Sequence, residues 1–285
     1  MIEMTWVADA LKIGNLLITL VYFGAAAWLI YVALRSAIPV WVKASCIGLV
    51  VAAFGYLPVS GYLEYREKRA YSKAAWERFN KYCAANSGEK IFKQVSGAKS
   101  ILIMRPRTED VIDHAADQNW RGDPYGAGFV NELEIRALLL HLKDASAPQD
   151  ALRGFDSVET RIVASRAEQY VNHHLSNPSE SESLIVEDPP ATQRRSRYGF
   201  TWLDLSADED RQYWIAVSLL RIIDLETGDV IAERRGYMID PGFGSQRGGR
   251  RPWLSAISSS CPKLVRGQAD FATRTFLLRV LKPTD

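Results

Sequence analysis

Charge is nearly missing from the first fifth of this 285-residue chain. Of 35 basic and 33 acidic residues, positions 1–62 hold only Lys12, Arg35 and Lys43, with Glu3 and Asp9. Other scarcities narrow the field. Three cysteines are too few for a disulfide scaffold. The four histidines (His114, His141, His173, His174) come without an H-E-x-x-H or C-x-x-C spacing, so no metal site is expected. His173 and His174, being adjacent, would point to opposite faces of a strand. A net charge of +2 lacks the basic excess of a dedicated nucleic-acid binder. At 47 % hydrophobic and 24 % charged residues, the composition also argues against general disorder.

What the first fifth does contain is two long uncharged runs. Ile13–Leu34 is free of charge, and its length as a helix is about 33 Å, enough to cross a hydrocarbon core of roughly 30 Å. Arg35, Pro39 and Lys43 mark a short turn, and Ala44–Leu63 forms the second run. Pro58 and Gly61 lie near its end, where a kink is tolerable, and Trp28, Trp41, Tyr56 and Tyr62 suit interfacial anchoring. The alternatives are a cleaved signal peptide or a buried soluble hairpin. A signal peptide wants a basic start and a shorter apolar stretch. Residues 1–63 are therefore expected to be a transmembrane helical hairpin, with spans at about 13–34 and 44–63. Orientation does not follow from charge. The Arg35–Lys43 loop favours an exported domain, whereas the basic flank at 66–81 favours the opposite.

The remainder reads as a soluble α+β domain. Residues 64–89 continue as a helical stalk, with Ala75, Phe79 and Cys83 on one face and Asn86-Ser87-Gly88 as the stop. Residues 90–285 form the domain. Lys90–Val95 and Ser100–Arg105 suggest a hairpin around Ser96-Gly97, and 106–128 a long loop. Phe129–Leu142 is ambiguous between helix and strand, and 174–196 is loop-like. Arg197–Leu205, Gln212–Asp224 and Val230–Ile239 predict a three-strand antiparallel meander, and Gln268–Leu281 a closing helix.

Little points to catalysis. The glycine-rich loop 241–253 lacks the Lys-Ser/Thr of a phosphate loop, and Ser245 lacks a nucleophile elbow. The expectation is a non-enzymatic binding protein without cofactor. Phe243, Arg247, Arg250, Arg251 and Trp253 offer the aromatic and arginine mixture of interface centres. A merely structural loop is the alternative. Trp120 and Tyr125 suit a second aromatic patch, or equally a Trp packed under its own loop. Cys83 and Cys261 are compatible with one disulfide, or with two unrelated thiols; Cys46 fits span packing.

Three stretches carry a resemblance: YCAANSGEKIFKQV, DQNWRGDPYG, and the long run from YWIAVSLLRIIDLETGDV to SSSCP. Over nearly all of residues 75–285 the chain resembles a large family of proteobacterial envelope proteins. These carry a membrane anchor or a lipoprotein signal, and many are encoded beside type VI secretion lipase and phospholipase effectors. The resemblance implies an immunity protein whose partner is a lipase-like toxin, in a two-pass inner-membrane protein with a periplasmic domain. It supports the Cys83–Cys261 disulfide and brings no catalytic residue. The family's role is read from gene neighbourhood. An accessory subunit of an envelope secretion complex is the alternative.

Overall fold

A computed structural model of the chain describes residues 5–107, 114–126, 131–141, 153–162, 168–177, 180, 183–264 and 269–283. The chain divides into two compact units, 1–71 and 72–285.

In the first unit, α1 (Thr5–Arg35) and the first half of α2 (Val40–Asn86) pack as a pair. Both are long and apolar enough to cross a membrane. Leu20, Val21, Phe23, Trp28, Leu49 and Leu57 stand exposed along them. Exposed apolar patches of this kind mark interaction surfaces, a membrane among them. Pro58 sits inside α2 and has no N–H, so the Phe54 carbonyl loses its helical donor. The Tyr22 hydroxyl of α1 supplies one at 2.8 Å, and the two rings meet at 4.9 Å. Lys43 caps the other end, donating to the Leu34 carbonyl at 3.0 Å.

The second unit is an α+β domain on a mixed sheet. Its strands are β1 (Gly88–Ile91), β2 (Ser100–Ile103), β3 (Ser157–Arg161), β4 (Tyr170–Leu175), β5 (Ile185–Glu187), β6 (Tyr198–Asp204), β7 (Ile215–Asp224), β8 (Val230–Ile239) and β9 (Ser260–Cys261). Its own helices are α3 (Asn131–Leu139), α4 (Asp208–Gln212), α5 (Pro252–Ala256) and α6 (Ala269–Leu281). Strand order is β1-β8-β7-β6-β2-β3-β4-β5, with β9 also on β8.

The predicted meander is present: β6, β7 and β8 run antiparallel, Leu203 opposite Leu219 and Leu219 opposite Arg235. The closing helix is α6. The hairpin at 96–97 is not formed. β1 pairs with β8, Lys90 opposite Glu233, while β2 runs parallel to β3 and β6. The connector turns toward α6 instead: the Val95 and Gly97 amides donate to the Val280 and Lys282 carbonyls, both at 2.8 Å. Residues 174–196 hold the end of β4 and all of β5, so the loop reading is corrected there. Within Phe129–Leu142, Asn131–Leu139 is helical, because Ile135, Leu138 and Leu139 at helical spacing find the sheet.

Both faces of the central strands are covered, which explains their continuous apolar runs. On one face Ile101, Ile103, Val158, Phe200, Leu220 and Ile222 pack under α3 and α6. On the other, Ile215, Val217, Tyr237 and Ile239 receive Ala75 and Phe79 from the last turns of α2. Arg78 of the same helix donates from Nε to Asp210 at 2.8 Å, and the Tyr82 hydroxyl reaches that carboxylate at 3.0 Å.

Candidate functional site

β8 delivers Asp240 to the start of the glycine-rich loop, and the loop folds around its carboxylate. Asp240 is fully buried. One oxygen accepts from the Gly242 amide at 3.2 Å and the other from the Gly244 amide at 2.6 Å. This is the local turn that Asp favours. Arg250 supplies the counter-charge through Nη2, while its Nε donates to the Ser245 carbonyl at 3.2 Å. Two glycines lie close against this packing. A Cβ at Gly242 would stand 2.3 Å from the Arg250 guanidinium; at Gly244, where φ is +79°, it would stand 2.3 Å from the Trp214 ring.

The predicted interface residues therefore separate. Trp253 is wholly buried, with its indole N–H donating to the Asp117 carbonyl at 2.8 Å and the Arg211 guanidinium 5.1 Å from its ring centre. It is a core anchor and offers no surface to a partner. Arg250 is occupied by Asp240. Phe243 is half-buried and packs with the cluster that receives α2. Arg247 and Arg251 remain exposed, and Arg247-Gly248-Gly249 forms the loop tip. Between loop and α5 lies an open groove of about 480 Å³, walled by Pro241, Gly249, Arg250 and Arg251 and by Leu254, Ser255 and Ile257. Its lining is mixed, with Leu254 and Ile257 beside two serines and two arginines.

The second patch is likewise drawn inward. Tyr125 is buried, its hydroxyl donating to the Tyr237 carbonyl at 2.8 Å, with the Cys261 carbonyl 3.1 Å away. Burial pushes its pKa well above the ordinary tyrosine value. Trp120 is half-buried and stacks on His114 with ring centres 6.0 Å apart.

Sequence reasoning missed a buried ionic cluster beside Tyr125. Arg107 pairs with Asp123 at 2.6 Å and with Glu134, and the Ser218 hydroxyl donates to Asp123 at 2.7 Å. Burial alone would lower the Arg107 pKa, but the Glu134 and Asp123 carboxylates outweigh it and hold the guanidinium charged. The three ions come from separate segments of the chain, so no local motif announces them. Asp240, one position before the glycine-rich loop, was likewise not singled out.

Cys83, in the last turns of α2, is joined to Cys261 on β9 by a disulfide, Cα to Cα 5.7 Å across 178 positions. Cys46 is a free thiol. Among the described residues, no three His, Cys, Asp or Glu side chains converge as a metal site. Comparison with protein-family models, curated proteins and solved structures gives no match for the chain.

Proposed function

We propose that the protein is a membrane-anchored, non-enzymatic binding module whose domain lies in the periplasm. The Cys83–Cys261 bridge carries this reading, because such bonds persist in oxidising compartments and are rare in the cytosol. The two apolar helices supply the anchor, in the inner membrane. The partner surface is the loop tip with Arg247 and Arg251 and the groove beside α5. The sequence resemblance makes the partner a lipase-like toxin of type VI secretion, and the protein its immunity factor. An anchor would hold the inhibitor at the toxin's substrate.

The test is co-expression of the full-length chain with a toxin encoded beside it and directed to the periplasm. Restored growth, with co-purification of the two proteins, is the expected result. Undiminished killing sinks the immunity reading, and a stable envelope complex recovered from toxin-free cells replaces it with the accessory-subunit role.

A further inference from the structure

We propose that the turns of α2 just beyond its apolar run recognise anionic phospholipid headgroups. This rests on the membrane-anchor reading above and adds the lipid class to it. The side chains of residues 61–70 are all exposed. At 3.6 residues per turn, Tyr62, Tyr65, Arg66 and Arg69 fall within an arc of roughly 100°. Glu64, Glu67 and Lys68 lie on the other side, where Lys68 is bonded to Glu64. One face is thus aromatic and cationic, and the acids are turned away from it.

Axial position selects the occupant. The uncharged run ends at Leu63, which places the Arg66 backbone about 4.5 Å and that of Arg69 about 9 Å beyond it. The headgroup layer of a leaflet is about 5–7 Å deep. Helix side chains lean toward the N-terminus, here toward the apolar run, so the long Arg69 side chain reaches back to the phosphates. Arg66 already lies over the Tyr62 ring at 5.9 Å, a pairing that keeps the guanidinium at the level of an interfacial tyrosine. Phosphate diesters bearing net negative charge complement this face; zwitterionic headgroups add a cation that cancels the attraction.

The experiment reconstitutes the full-length protein in vesicles of phosphatidylcholine alone or mixed with phosphatidylglycerol. Native mass spectrometry then counts the lipids retained after detergent release. The wild type should retain phosphatidylglycerol preferentially, and Arg66→Ala with Arg69→Ala should cut that preference by up to about thirtyfold. Lys68→Ala should leave it intact, and Arg66→Lys with Arg69→Lys should keep most of it. Equal retention by the wild type, or a preference surviving the double alanine variant, overturns the proposal. So does displacement by inorganic phosphate, which would mark a free-anion site. Alkaline extraction separates the two readings. Release from membranes defeats the anchor itself, whereas retention without headgroup preference defeats only this proposal.

Discussion

Asp240 and Arg250 decide the shape of the loop between β8 and α5, and they set apart arginines that look alike in sequence. Arg250→Ala would leave a buried carboxylate with two amides and no cation, at a cost of about 2–3 kcal/mol. Arg247→Ala at the exposed tip should stay within about 0.5 kcal/mol. Thermal melts of the two variants test this, and equal melts would mean that Asp240 does not depend on its partner. His173 sets a pH dependence of its own. It is buried on β4, with Nε2 2.8 Å from the Thr160 hydroxyl and Nδ1 3.3 Å from a Glu187 oxygen. Burial lowers its pKa from 6.5, against the smaller raising effect of Glu187. The unfolded chain then binds the proton more readily, so stability present above about pH 6.5 is lost as the pH falls through the folded value. Melts between about pH 7.5 and about pH 5 should show a shallower slope for His173→Gln than for the wild type. Neither role was legible locally, since a charged residue's meaning depends on whether a counter-ion meets it.

At the scale of elements, α2 links the two units. Its apolar start, its exposed middle and its docked end were readable from composition and from the Ala75, Phe79 and Cys83 periodicity. The repair of its proline was not. Pro58 announces a missing donor, but only packing brings Tyr22 to the orphaned Phe54 carbonyl. Tyr22→Phe should destabilise the helix pair by about 0.6–1 kcal/mol, measured by unfolding in detergent. An unchanged midpoint would assign that carbonyl another donor. The last turns of α2 are fastened covalently through Cys83. Bridges of native domains contribute about 2–5 kcal/mol, and Cys83→Ser with Cys261→Ser should lower the melt of the full-length protein accordingly. Free reactivity of all three thiols in freshly isolated membranes would show that the bond does not form there. Short strands mislead for a related reason. β1 and β2 are each four residues long and near neighbours in sequence, yet each hydrogen-bonds to strands distant in sequence and not to the other.

For the whole molecule the prediction concerns orientation. Two crossings would put the N-terminus and the domain on the same side, and the disulfide argues for an oxidising one. Alkaline phosphatase fused after Asp285 should be active, and a reporter that fluoresces only in the cytosol should stay dark. The reverse result would remove the periplasmic reading and the immunity role with it. The sequence alone determined what depends on composition and period. The uncharged runs gave two helices long and apolar enough to cross a membrane, and the β-branched and aromatic runs at 197–239 gave a three-strand meander. Gln268–Leu281 required a helix with one buried side. Only the tertiary structure decided which residues of the glycine-rich loop face outward. Trp253 and Arg250 share the composition of an interface, but Trp253 is buried in the core and Arg250 is held by a carboxylate ten positions earlier. Such assignments depend on contacts between distant segments, and hydrophobic periodicity carries no record of which segments meet.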